Sequence, residues 1–227
     1  MRNKNPMDMN TIRIKSVNII VLTIILVSFA IGIYFYPQMP DKMASHWSAA
    51  GEVNGYLPKF WGLFLMPLVS FGLFLLFILI PKIDPLKENI KKFRKYFDGF
   101  VILTIVFLFY IYLLTIFWNV GLRFNMGQVM IPALGFLFYY CGILIENAKR
   151  NWFIGIRTPW TLSSDKVWRK THMIGGKLFK IVGVIAFFGI IFPKYAVFFV
   201  LIPVILVTGY LIFYSYFSYQ KEIKFEK

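Results

Sequence analysis

The stretch N-W-F-I-G-I-R-T-P-W-T-L-S-S-D-K-V-W-R-K-T-H-M-I-G-G-K, Asn151 to Lys177, organises the rest of the chain around itself. It is the longest polar-rich interval in an otherwise greasy sequence. It holds three of the six tryptophans, Trp152, Trp160 and Trp168, and one of the two histidines, His172. Gly155 to Trp160 reads as a loop, because Pro159 keeps Thr158 away from helical angles. Ser163-Ser164-Asp165 reads as a helix start: a serine caps free backbone N–H groups, and the carboxylate suits the positive end of the helix dipole. Beyond it, Trp168, His172, Gly176, Phe179 and Gly183 form one stripe of a 3.6-residue helix. That helix begins in polar sequence and ends in an apolar run. The expectation is a helix that lies along a membrane surface and then enters, with Gly175-Gly176 bending it or admitting a close backbone.

Composition explains why a membrane is invoked. Of 227 residues, 59% are hydrophobic and only 15% charged, and the charges come in blocks. Soluble domains carry about 25% charged residues. The chain therefore reads as an all-α, polytopic integral membrane protein. Its single cysteine, Cys141, excludes an internal disulfide and any multi-cysteine metal site, and reads as a small buried residue. The net charge of +15 does not imply direct nucleic-acid binding, since the basic residues flank apolar spans.

Six spans follow in order. Met1 to Ser16 is polar, basic and expected to be disordered at its start. Val17 to Tyr36 is about the ~20 apolar residues that cross a bilayer. It reads as a retained span rather than a cleaved signal, because it ends in Tyr36-Pro37 and not in small residues. Pro37 to Phe60 reads as a loop with a turn at Asn54-Gly55, and Gly51 and Gly55 suggest backbone angles other residues avoid. Trp61 to Ile80 is the second span, so residues 17–80 form one segment. The basic connection Pro81 to Lys95 follows. Residues 99–217 hold the rest: Gly99 to Trp118, Val129 to Ile145, Leu178 to Phe192 and Tyr195 to Phe217, with the connecting loop 147–177. The tail is 218–227.

Charge sets the expected orientation. With both termini cytoplasmic, inner segments hold twenty-one of the 25 Lys and Arg, and outer ones only Lys42, Lys59, Arg123 and Lys194. Such a bias favours an N-in, C-in arrangement of six transmembrane helices. The tryptophans agree, with Trp47, Trp61 and Trp118 at the outer interface and the other three near the inner one, as in an aromatic belt.

Asn151-x-x-x-Gly155-Ile156-Arg157-Thr158-Pro159-Trp160-Thr161-Leu162, followed by Val167 to His172 and Gly175-Gly176-Lys177, resembles the C-terminal half of the SdpI family of bacterial membrane proteins. Pro40, His46, Gly51, Gly55 and Lys59 resemble a bacterial domain of unknown function that often precedes that half. The resemblance implies a bacterial cell-membrane protein conferring immunity to a secreted toxic peptide, and signalling in which a cytoplasmic repressor is held at the membrane. An external toxic peptide is then expected at the outer loop, around His46, Trp47 and Tyr56, and the repressor at the basic inner face.

The residues read on their own leave other roles open. The middles of the spans hold no ionisable group, which argues against an ion-coupled transporter. Asp98 and Glu146 sit at inner ends of spans, where both are simply solvated or Glu146 pairs with Arg157. His46, with Asp41 and Glu52 nearby, follows no metal-site spacing and reads as loop packing. His172 is a pH sensor, a partner contact or an internal hydrogen-bonder. Arg157 offers a planar five-donor fork to a lipid phosphate, a protein carboxylate or the loop's own carbonyls. No P-loop, nucleophile elbow or zincin helix occurs. No cofactor, metal or catalytic residue is expected. The runner-up is a membrane enzyme using Arg157, His172 and Asp165 on lipid or peptide.

Overall fold

The computed structural model describes residues 6–49 and 51–225. Arg2, Lys4 and Lys227, with the expected disorder of the first residues, lie outside the described residues. The chain folds as α1 (Pro6–Phe35), β1 (Lys42–Trp47), β2 (Val53–Pro58), α2 (Lys59–Ile83), α3 (Lys87–Lys92), α4 (Arg94–Asn119), α5 (Met126–Asn147), α6 (Pro159–Ser163), α7 (Asp165–Ala186) and α8 (Phe198–Phe225). Short 3-10 turns occupy Phe187–Ile190 and Pro193–Tyr195. Among the described residues six helical segments are long and apolar enough to cross a membrane. They are the six expected spans in the same order, each extended into its polar flanks, where the helical hydrogen-bond ladder simply continues.

The helix expected to run from polar sequence into the fifth span is unbroken from Asp165 to Ala186. A different segment departs from the sequence reading. The residues Pro37 to Phe60 are not an irregular loop: β1 and β2 pair as a two-stranded hairpin. Its turn is not at Asn54-Gly55, which lie within β2. It lies at Ser48 to Glu52, where the Ser48 N–H donates to the Glu52 carbonyl at 2.8 Å and Gly51 takes φ +86°. Only Gly51 of the two glycines needs the left-handed region.

The chain divides into two compact units, and α2 and α4 each contribute a stretch to both. The first comprises the chain up to His46, Val53–Leu76 and Val101–Phe124. Its core gathers Met39, Met43, Leu63, Tyr112 and Ile116. The buried Tyr112 hydroxyl donates to the Ser28 carbonyl at 3.1 Å. Asn119 brackets β1, accepting from the Ala44 N–H at 2.8 Å and donating to the Ala44 carbonyl at 3.0 Å. On α1, Ile19, Leu26 and Ile33 recur every seven residues and stay about two-thirds exposed. In water such a stripe invites association; facing acyl chains it is already solvated.

The second unit comprises Trp47–Glu52, Phe77–Phe100 and the chain from Asn125. Its axis is the contact of α5 with α7, made through glycines two turns apart on each helix. A Cβ on Gly142 would lie 2.5 Å from the Gly176 carbonyl oxygen, and one on Gly183 would lie 2.6 Å from that of Gly135. Helices associate in lipid by close backbone packing at small residues. The Gly175-Gly176 pair therefore serves close approach, the second of the two expected roles.

Candidate functional site

The connection from α5 to α7 is built from side chains that replace missing backbone partners. Asn151 is fully buried. Its amide nitrogen donates to the carbonyls of Lys149 and Ile154, both at 2.8 Å. Its oxygen accepts from the N–H groups of Phe153 and Ile154, at 2.9 and 2.6 Å. Thr158 keeps the extended angles expected before Pro159 and caps α6 in a reciprocal box with Thr161. The Thr161 hydroxyl contacts the Ile156 carbonyl at 2.7 Å, and Thr158 reaches Ser215 on α8 at 3.0 Å. Ser164 caps α7 through the N–H groups of Lys166 and Val167, and its hydroxyl donates to Glu222 at 2.7 Å.

His172 closes this loop from the α7 side. Its Nδ1 faces the Trp168 carbonyl at 2.8 Å, so that nitrogen carries the proton. Its Nε2 then accepts from the Ile156 N–H at 3.0 Å. Both nitrogens are committed to backbone, and the ring stacks on Trp168 with centroids 3.8 Å apart. Gly155, at φ +114°, passes over this ring, and any Cβ there would collide with His172 Nε2. Trp168 is 3% exposed and donates from its indole to the Ala148 carbonyl at 2.9 Å. It is an interior packing residue and not part of an aromatic belt.

Several charged residues differ from expectation. Glu146 pairs with Lys180, not with Arg157. Arg157 is exposed and takes the last of its three expected partners, a carbonyl of the loop itself, donating to that of Trp152 at 2.7 Å. Asp98 is not solvated: it is 3% exposed and held by Arg94 at 2.6 Å. Asp165 pairs with Arg150 at 2.9 Å. Sequence reasoning passed over Asp84, which is 2% exposed. Its carboxylate accepts from the N–H groups of Leu86 at 2.6 Å and Trp152 at 2.9 Å. Asn89 adds a bond to the Arg150 carbonyl at 2.9 Å. Asp84 precedes Pro85, a turn-initiating pair that marks it in retrospect; Asn89 and Glu222 carry no such mark.

The hairpin is arranged differently. His46 is exposed, with Nδ1 against the Asn54 side-chain oxygen and its Cβ over Gly55. Trp47 is half-buried and Tyr56 is exposed. Gly51 lies against Asn125 in the second unit. Asp41 turns to Lys59 at 3.2 Å instead of to His46. Among the described residues no three His, Cys, Asp or Glu side chains are grouped to hold a metal ion.

A family model described as the SdpI/YfhL protein family matches residues 147–216, and another, a domain of unknown function (DUF1648), matches residues 23–71. The chain is similar to Immunity protein SdpI of Bacillus subtilis (strain 168), with 24% identity over 205 residues, covering 90% of this chain and 96% of that protein. The match is at the level of the family. No solved structure matches the chain. The SdpI-matched region takes in Asn151, Gly155, Arg157, Pro159, Trp160, Trp168, His172 and Gly176. Asp84 and Asn89, which hold the same loop, fall outside both matched regions.

Proposed function

We propose that this chain is an SdpI-type immunity protein of the bacterial cell membrane, protecting its cell from a secreted toxic peptide. The observation that carries the reading is the similarity to Immunity protein SdpI across 90% of this chain. An alignment of that length runs through both the hairpin and the α5–α7 loop. In this reading the termini are cytoplasmic, the hairpin faces outward and meets the toxin, and the α5–α7 loop faces inward. The inner basic face holds a cytoplasmic repressor at the membrane. Support for the orientation comes from the distribution of Lys and Arg.

The enzyme reading is weaker on a specific ground. Its three candidate residues already have structural partners: His172 on backbone, Asp165 on Arg150, Arg157 on the Trp152 carbonyl.

The test is growth under a candidate toxin of cells that express or lack the protein. Protection dependent on expression is expected; equal killing in both removes the immunity reading. Reporter fusions check the orientation. Cytoplasmic signal is expected after Lys92, Lys166 and the C-terminus, and none near Val53, Met126 and Lys194. A cytoplasmic signal at Val53 reverses the assignment of faces.

A further inference from the structure

The second unit contains a cavity of about 530 Å³, within the ~300–1,000 Å³ range of small-molecule sites. Phe77, Phe100, Leu144, Phe179 and Leu211, from five helices, make apolar walls. All five belong to segments apolar enough to cross a membrane. The Phe153–Thr158 stretch completes the lining, and within it Arg157 is the single charged residue lining the cavity.

These features select an occupant. The apolar walls offer water few partners. Hydrocarbon, by contrast, regains the dispersion contacts that an empty cavity forfeits. A free alkane would leave the guanidinium unused. Arg157 spends one donor on the Trp152 carbonyl, and its planar fork suits a phosphate. The loop around Arg157 is fixed by Asn151, His172 and Thr161, so the charge is held at the rim and does not collapse inward.

We propose that the second unit binds one anionic phospholipid, an acyl chain in the cavity and its phosphate on Arg157. The inference does not rest on the immunity reading.

The experiment is native mass spectrometry of the full chain in detergent, titrated with phosphatidylglycerol or with phosphatidylcholine of the same acyl chains. The wild type is expected to prefer phosphatidylglycerol. Arg157→Gln is expected to keep a bound lipid but lose about fivefold of that preference, the effect of one basic residue near an anionic headgroup. Thr208 is an exposed lining residue, so Thr208→Phe fills the cavity from its lipid side and is expected to abolish binding of both lipids. Leu206→Phe, on the same helix and outside the lining, is expected to bind as wild type. A melting curve accompanies each variant, and if Thr208→Phe does not fold the headgroup preference of Arg157→Gln decides. Wild type without headgroup preference, Arg157→Gln with full preference, a folded Thr208→Phe that still binds, or a co-purified apolar peptide that phospholipid cannot displace each overturns the proposal.

Discussion

The hairpin and the α5–α7 loop are both rich in the residue types that usually mark sites, yet they use them in opposite ways. In the loop, Asn151, Thr158, Thr161 and His172 are buried and bonded to backbone or to each other. They are what allows an irregular segment to exist beside apolar helices, where each unanswered N–H or carbonyl costs several kcal/mol. In the hairpin the backbone is satisfied by strand pairing and by Asn119, so His46 and Tyr56 are left exposed. The more polar sequence is therefore the scaffold, and the plainer one presents the free surface.

This contrast breaks first at Asn151. Asn151→Ala deletes four hydrogen bonds and strands buried backbone groups, and is expected to lower stability by about 3 kcal/mol or more. Thermal unfolding in detergent measures it; a loss below about 1 kcal/mol shows that the loop is held by other means. Next comes Gly155→Ala, which forces a side chain into the left-handed region and against His172, at a cost of about 1–3 kcal/mol. Pairing it with His172→Ala sharpens the point. If the collision matters, the double variant loses less than the two single losses combined.

Smaller effects are expected where side chains face solvent. Arg157→Lys is expected to change stability by less than about 1 kcal/mol, because the group is exposed and its described bond is to a single carbonyl. A larger loss shows that the guanidinium fork is structurally required. His46→Ala and Tyr56→Ala are expected to stay within about 0.5 kcal/mol of wild type, as exposed substitutions do.

The helical frame was legible because bilayer thickness fixes segment length and because blocks of charge punctuate the apolar runs. The buried stripe of α7 was legible from spacing alone, and a serine cap was legible in Ser163-Ser164-Asp165, where Ser164 supplies it. The hairpin was not: Asn54-Gly55 advertises a turn, but the backbone turns where Gly51 permits a positive φ. Local signals cannot rank two glycines when one is demanded by the turn and the other by the space His46 leaves. Arg157 drew attention as a lone cation in a glycine–proline loop, whereas the residues that hold that loop, Asp84, Asn89 and Glu222, come from distant sequence. Such partners are created by the packing of α2, α3 and α8 and have no local periodicity to reveal them.

In the proposed reading the hairpin recognises the toxin and the α5–α7 loop supports the fold. Survival and membrane abundance, measured in the same toxin-exposed cells for Asn151→Ala and for the double variant His46→Ala/Tyr56→Ala, separate the two roles. Asn151→Ala is expected to lose protection only in proportion to its lost abundance, while the hairpin variant loses protection at wild-type abundance. Full protection by the hairpin variant, with Asn151→Ala abundant but unprotective, overturns that reading.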